Sequence, residues 1–141
     1  FPFEADSLAV TQSTGCWTSV QTMEGFGEHQ WYEGDQLFVG ADANGVLDLS
    51  LPIRHGGRYR IGIYLTRAPD FGQIKVSLDG TPLASSIDAY APFVLPSGAI
   101  PLGEVDLTPG NHTLRIEVVG QNPESSGYSY GLDCFSLVPI P

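Results

Sequence analysis

Apolar and polar residues alternate with a period of two along most of this chain, and this pattern restricts the fold more than any other feature. No window sustains the i, i+3, i+4, i+7 spacing of an amphipathic helix. The alternation predicts antiparallel strands with one buried face and one wet face, and minimal helix. The apolar positions are Leu47, Leu49 and Leu51; Tyr59, Ile61, Ile63 and Leu65; Ile74, Val76 and Leu78; and Leu114, Ile116 and Val118.

Turn residues separate these segments and define the rest of the architecture. Asn44-Gly45, Gly56-Gly57, Asp79-Gly80 and Pro109-Gly110 supply the backbone angles that tight turns require. Residues 24–34, 85–101 and 120–127 predict three long loops. A length of 141 residues without a repeat or linker indicates one domain over residues 1–141. The predicted fold is all-β, a jelly-roll β-sandwich of two antiparallel sheets.

The net charge of the chain restricts the classes of molecule that it can bind. Six Lys and Arg residues stand against 16 Asp and Glu, for a formal net charge of −10. Such a chain repels a phosphate backbone and an anionic membrane, so we expect neither nucleic acid nor membrane as partner. The acidity indicates either solubility in an extracellular medium or carboxylates that hold a cation. Cys16 and Cys134 could form a disulfide if the first and last strands are neighbours, or could be separately buried thiols.

No motif in the chain predicts catalysis. A Gly-x-Ser-x-Gly elbow, a histidine pair at metal spacing and a phosphate loop are all absent from the sequence. His55 and His112 stand beside turns, where a solvated imidazole is expected, and His29 lies in an aromatic loop. Asp70 and Asp88 could in principle serve glycoside hydrolysis, but acidic residues are too common here for one pair to indicate an enzyme. We therefore predict a non-catalytic domain.

Ordered landmarks along the chain resemble the family 6, 35 and 36 type of carbohydrate-binding module. The predicted first strand begins Phe3-Glu4-Ala5-Asp6, and the predicted last strand holds Leu132-Asp133. Further landmarks in the same order are Gly34-Asp35-Gln36-Leu37, Gly57-Arg58-Tyr59-Arg60-Ile61, Val76-Ser77-Leu78-Asp79-Gly80 and the segment 107–114. The chain is also similar to uncharacterised jelly-roll domains of secreted bacterial proteins, some attached to glycoside-processing enzymes. These stretches are 66–72, 87–90, 122–123 and 126–128.

The resemblance implies a secreted module that tethers an attached catalytic domain to a polysaccharide or oligosaccharide. It also implies a structural calcium ion held by Glu4, Asp6 and Asp133, with backbone carbonyls completing the coordination. Glu4 and Asp6 are two residues apart and would share one face of a strand. The alternative is that they only protect an edge strand from aggregation.

Sugar recognition needs flat aromatic faces together with amides and carboxylates. The candidates in or beside the loops are Trp31, Tyr32, Asp70, Asp88, Tyr90, Asn122, Tyr128 and Tyr130. Tyr128 and Tyr130 alternate with polar residues, so they could form a platform or pack inward. If these aromatic residues are buried, the alternative is a structural or oligomerisation domain of a glycoside-processing enzyme with no sugar binding of its own.

Overall fold

A computed structural model describes residues 2–27 and 30–141, which contain nine β-strands. His29 lies outside the described residues, so its predicted interest stays a prediction. Short 3-10 turns occupy Ala5–Ser7 and Tyr32–Gly34. The strands are β1 Pro2–Glu4, β2 Ala9–Thr22, β3 Asp35–Ile53, β4 Gly57–Arg67, β5 Gln73–Leu78, β6 Thr81–Asp88, β7 Leu95–Leu107, β8 Gly110–Gly120 and β9 Tyr130–Pro139.

The strands form two layers joined by the long hairpin of β2 and β3. In the front sheet, β7, β4 and β9 lie side by side, and the first part of β3 pairs with β9. In the back sheet, β6, β5 and β8 are followed by the second part of β3. β2 pairs with β3 in both layers, and β1 adds to β9. All these pairs are antiparallel, and the predicted all-β jelly-roll is confirmed.

The core lies between the two layers and is filled by the residues that the alternation predicted. Leu47, Leu49 and Leu51 are fully buried, and so are Ile61 and Ile63. Burial of so much apolar surface is the main favourable contribution to folding. Within the described residues, no helix is long and apolar enough to cross a lipid bilayer.

Three segments differ from the prediction. Asn44-Gly45 was predicted to form a turn, but β3 continues through it from Asp35 to Ile53, and Gly45 lies against the bulge at Gly15 of β2. The predicted loop 85–101 is shorter, because β6 continues to Asp88 and β7 begins at Leu95. The prolines of β7 are compatible with a strand because β7 lies at the edge of the sheet, where a missing N–H leaves no broken hydrogen bond. At the other end, β1 stops at Glu4 and Asp6 lies in a 3-10 turn. The two carboxylates therefore do not share one face of a strand.

The two cysteines are free thiols. Cys16 is half-buried on β2, and Cys134 is buried on β9 beside Glu4 of β1. Burial raises the pKa of Cys134 to about 12, and the neighbouring charges of Asp133 and Glu4 act in the same direction. The buried-thiol alternative therefore describes this structure, and the stability of the domain does not depend on a disulfide.

His112 links two turns of the back sheet and is not a freely solvated imidazole. Its Nδ1 lies 2.5 Å from Oδ2 of Asp79, and its Nε2 lies 2.7 Å from the carbonyl oxygen of Thr108. Asp79 also accepts a hydrogen bond from the backbone N–H of Thr113. The hydrogen bond to Asp79 is the main cause that raises the pKa of His112. The imidazolium therefore joins the Asp79-Gly80 turn to the turn before β8.

We predict that this link makes the domain more stable at mildly acidic pH than at alkaline pH. Because the folded-state pKa of His112 is raised, its stabilisation is present below the unfolded pKa of about 6.5 and is lost as pH rises through the folded pKa. The pair is partly exposed, so we expect less than about 1 kcal/mol. Thermal unfolding of wild type and His112→Gln measures this effect. The difference between their melting temperatures should be largest near pH 5.5 and small near pH 9, and an equal difference at both values would contradict the assignment.

Candidate functional site

The segment between β2 and β3 covers part of the outer face of the front sheet. Met23 and Trp31 of this segment are almost completely buried. The indole Nε1 of Trp31 donates a hydrogen bond of 2.8 Å to Oγ1 of Thr66 on β4. Trp31 was predicted as a sugar contact, but in this structure its ring has no face free for a ligand. Its position indicates that it anchors the segment to the sheet.

A chain of polar side chains continues from Trp31 across the sheet. Thr66 donates its hydroxyl hydrogen to Oε1 of Gln36, and Nε2 of Gln36 donates to Oε1 of Gln21 at 2.7 Å. Thr66 and Gln36 are buried, so each hydrogen bond avoids the cost of an unpaired polar group. Gly131 leaves the space for this chain, because a Cβ there would lie 2.1 Å from Oε1 of Gln36.

An aromatic row, defined by Trp17, Phe38 and Phe71, lies beside this polar chain. Trp17 on β2 is 60% exposed, and its ring centroid lies 5.4 Å from that of Phe38. The ring centroid of Phe38 lies 6.2 Å from that of Phe71. Trp17 is paired across the hairpin with Gly40, and a Cβ at position 40 would lie 2.3 Å from Cε2 of the indole. The indole therefore lies directly on the backbone of Gly40, with much of its surface in solvent.

Trp17 of the aromatic row was missed in the sequence because β2 shows almost no burial pattern. Most of its 14 residues are exposed on both faces, so apolar alternation does not mark it as a strand. A single Trp among polar residues then gives no indication of its face. The one available signal is Gly40 on the facing strand, which only the pairing register places beneath Trp17.

A small cavity of about 120 Å³, here called the front pocket, adjoins the aromatic row. Phe38 and Phe71 belong to both. Its polar groups are the side chains of Gln21, Gln36, Thr66 and Asp70, and among the described residues no Lys or Arg lines it. The lining residues are Gln21, Met23, Phe26, Gln36, Phe38, Thr66, Ala68, Asp70, Phe71 and Val94. Among the residues predicted as sugar contacts, Asp70 is the one that lies here.

Three other predicted sugar contacts come together at the loops. Asp88 accepts a hydrogen bond of 2.8 Å from Nδ2 of Asn122 and one of 3.0 Å from the backbone N–H of Tyr90. Ala68 forms a bridge with Tyr90, and the backbone N–H of Ser126 donates to the carbonyl oxygen of Pro69. These contacts hold together the loop after β4, the loop between β6 and β7 and the loop between β8 and β9. Asp88 and Asn122 thus bind each other in this structure.

The two tyrosines before and within β9 do not form an exposed platform. Tyr130 is 1% exposed, and its hydroxyl has no hydrogen-bond partner in the part of the chain that the structure describes. Tyr128 is half-buried and packs against the core. Of the two alternatives that the sequence left open, inward packing describes this structure. Tyr32 differs, since its side chain is 44% exposed.

The three carboxylates predicted to bind calcium lie near one edge of the front sheet. A bulge in β9 leaves Asp133 without a partner on β4, between Leu132 and Cys134. Its carboxylate accepts the backbone N–H of Tyr32 at 3.0 and 3.2 Å. The pKa of Asp133 is raised to about 6, and burial is the largest cause. The hydrogen bond from Tyr32 opposes this increase, and the charge of Asp6 adds to it. Glu4 is the last residue of β1 and pairs with Cys134.

These carboxylates repel one another and have no basic partner among the ion pairs of the described residues. The pKa of Glu4 is raised by burial first and then by Asp6, Glu33, Asp35 and Asp133. Such hard oxygen donors suit Ca²⁺. However, no three acidic, histidine or cysteine side chains of the described residues converge at metal-ligand spacing. The carboxylate oxygens are therefore ligands that suit Ca²⁺, but this structure does not arrange them around a common point at which the ion could bind.

A larger groove of about 690 Å³ lies at the end of the sandwich that carries the turn before β4. Its walls are mainly apolar and include Phe3, Ile53, Tyr59 and Leu137, and Arg54 and Arg58 also line it. None of the residues predicted as sugar contacts or calcium ligands lines this groove, and none of the aromatic row does.

Comparison with known proteins gives structural matches and no sequence-family match. No protein-family profile matches the chain, and no curated protein matches it. It superimposes on part of a Paenibacillus xanthan lyase with a TM-score of 0.85 and 25% identity, over 99% of this chain and 13% of the lyase. The chain thus spans a small part of that protein.

Two isolated modules match this chain over nearly their whole length. A CBM36-1 domain of a multidomain xylanase from the hindgut metagenome of Trinervitermes trinervoides gives a TM-score of 0.63 at 10% identity, covering 100% of this chain and 98% of the domain. A family 35 carbohydrate-binding module from Clostridium thermocellum gives 0.55 at 17% identity, covering 98% of each. The resemblance to this type of module is confirmed in its fold: the chain has the jelly-roll of the family 6, 35 and 36 carbohydrate-binding modules.

Proposed function

We propose that this domain is a non-catalytic carbohydrate-binding module whose sugar-binding surface is the aromatic row. The observation that carries the proposal is Trp17, whose indole lies against Gly40 and is 60% exposed. A pyranose has an apolar face that packs on such a ring, while its hydroxyl groups need polar partners nearby. Gln21 and Asp70 of the front pocket supply an amide and a carboxylate beside the row.

The aromatic row replaces the loop aromatic residues in this proposal. Trp31 and Tyr130 are buried, and Tyr128 is half-buried, so none of the three offers a free ring face. Asp70 keeps its proposed role because it lines the front pocket. Asp88, Tyr90 and Asn122 are proposed to hold the loops that carry Asp70 and Phe71, since Asp88 already bonds to the other two residues.

The module would belong to a secreted protein and would tether an attached catalytic domain to its polysaccharide. The support is the alignment of this chain with 13% of a xanthan lyase, together with its match to the CBM36-1 domain of a multidomain xylanase. The strong acidity agrees with an extracellular setting and opposes nucleic-acid binding. Xanthan and xylan are therefore the first two polymers to examine.

We predict that Trp17→Ala abolishes retention of the domain on its polysaccharide. Truncating a central aromatic anchor costs about 2 kcal/mol, which weakens binding about thirtyfold. Affinity gels containing xanthan, xylan or other plant, algal and microbial glycans measure retention. Tyr32→Ala is the matched control, because it removes another exposed aromatic ring that lies outside the row.

Gly40→Ala provides a second variant that leaves Trp17 in place. The added Cβ would collide with the indole, so the ring must leave the backbone of residue 40. We expect weaker retention with a largely unchanged melting temperature, because Gly40 faces outward and not into the core. Equal retention of wild type and Trp17→Ala would exclude the aromatic row. No retention of the wild type on any glycan would support the alternative role as a structural or oligomerisation domain.

We also propose that Glu4, Asp6 and Asp133 hold a structural Ca²⁺ ion. The ion would supply positive charge to a group of carboxylates that repel one another. The raised pKa of Asp6, caused by burial and then by Asp35, is further support for crowded negative charge. The ion is assigned a structural role because the front pocket does not include these three residues.

We predict that calcium raises the melting temperature of the domain and that a chelator removes the increase. A ligand at 100 times its Kd stabilises a protein by about 2.7 kcal/mol, which corresponds to roughly 5 to 10 °C for a chain of this size. Differential scanning calorimetry with CaCl₂, MgCl₂ and EDTA measures the shift. Asp133→Asn should lose the calcium response, whereas Asp42→Asn, the same change at an exposed position, should keep it. A melting temperature unaffected by calcium would overturn the assignment.

A further inference from the structure

The hydrogen bonds beneath the front pocket give Gln21 a fixed orientation. The indole Nε1 of Trp31 can only donate, so Oγ1 of Thr66 accepts from it and donates its own hydrogen to Oε1 of Gln36. The amide nitrogen of Gln36 then donates to Oε1 of Gln21 at 2.7 Å. The carbonyl oxygen of Gln21 is thereby engaged, and its NH₂ group remains as a donor. Gln21 therefore presents a donor to the pocket that it lines.

The size of the front pocket restricts what can enter it. Its volume is about 120 Å³. Pockets that enclose a whole small ligand measure about 300–1,000 Å³. The front pocket can therefore accept a substituent of a sugar but not the ring itself. The pyranose ring itself would pack on the indole of Trp17. Trp17 contacts Phe38, which lines the pocket.

The chemistry of the walls restricts the substituent further. Phe26, Phe38, Phe71 and Val94 present apolar surface, which suits a methyl group. The NH₂ group of Gln21 requires a hydrogen-bond acceptor, which a carbonyl oxygen provides. A carboxylate would approach Asp70 with no Lys or Arg in the lining to balance its charge. The substituent should therefore be uncharged, with a carbonyl oxygen and a small apolar end.

From this combination we propose that the front pocket binds the acetyl group of an acetylated sugar whose ring lies on Trp17. The proposal rests on the carbohydrate-binding function proposed above and specifies its ligand class. The carbonyl oxygen of the acetyl group accepts from Gln21, and its methyl group packs against Phe38 and Phe71. An O-acetyl ester and an N-acetyl amide share this chemistry, so the experiment separates the two sources.

The test compares matched ligands with and without acetyl groups by isothermal titration calorimetry. For the amide, the pair is the hexamer of N-acetylglucosamine and the hexamer of glucosamine, with cellohexaose as the uncharged reference without a nitrogen substituent. For the ester, the pair is chemically O-acetylated xylan and the same sample after mild alkaline hydrolysis. We expect at least one acetylated member to bind about tenfold or more tightly than its partner, since a filled apolar subsite gives about 10-fold to 200-fold discrimination.

Gln21→Glu tests the role of the donor directly. The new carboxylate still accepts from Gln36, so the polar chain persists, but the NH₂ group is gone and a negative charge faces the acetyl carbonyl. This variant should lose the preference for the acetylated ligand while still depending on Trp17 for binding. Gln12→Glu makes the same change of charge on the same strand, at an exposed site outside the pocket, and should behave as wild type. Melting temperatures confirm that both variants are folded.

The outcomes separate the two proposals. Equal, Trp17-dependent binding of both members of each pair would overturn acetyl recognition and leave the carbohydrate-binding function standing. An acetyl preference that Gln21→Glu retains would overturn the assignment to this pocket. Failure of every ligand and every polysaccharide gel to bind the wild type would overturn both proposals. A preference confined to the hexamers would identify the amide source, and one confined to xylan would identify the ester.

Discussion

The hydrogen-bonded chain from Trp31 to Gln21 is the interaction on which the outer face of the front sheet depends. Through Thr66 it holds Trp31, between β2 and β3, against β4. Trp31 thereby shields a part of the sheet that would otherwise be exposed to solvent. It also orients the amide of Gln21 beside the aromatic row. Gly131 is necessary to this arrangement because no side chain fits between β9 and Gln36. A tertiary polar network therefore shapes a surface that local propensity leaves undefined.

The distribution of charge separates the two proposed sites of the domain. At the edge of the front sheet, Asp133 is buried and its pKa rises to about 6, while Glu4 and Asp6 add negative charge nearby. At the front pocket, Asp70 is exposed and stands among apolar walls. A cation bound at the sheet edge would relieve the repulsion between the carboxylates, whereas the front pocket favours neutral polar groups. The same excess of acidic residues thus has different consequences in buried and exposed surroundings.

The core and the class of fold could be predicted from the sequence because buried apolar and exposed polar side chains alternate along a strand with one wet face. Leu47, Leu49 and Leu51 are examples, each fully buried on the inner face of β3. β2 could not be predicted in this way, since exposure on both faces removes the alternation. The prolines of β7 also misled the prediction, because a sequence does not show which strand lies at an edge.

The structure brings together only some of the predicted sugar contacts, for a related reason. Composition drew attention to aromatic rings with amides and carboxylates in the loops, but it did not distinguish a ring that anchors a loop from one that faces solvent. Trp31 bonds to a buried Thr on a strand 35 positions away, and Trp17 lies over a glycine on a facing strand. Both relations depend on strand register, which is a property of the folded chain. Asp70, by contrast, was identified from its loop and does line the front pocket.

The position of Trp17 on an outer strand has a consequence for how such a domain can diversify. β2 pairs with β3 alone and contributes almost nothing to the interior, so its outward side chains can be exchanged without creating cavities. Recognition at these exposed positions is then nearly uncoupled from folding: a new ligand preference could arise by replacing residues 17 and 19 while the sandwich retains its stability. Position 21 differs, because its side chain is the hydrogen-bond partner of the buried Gln36.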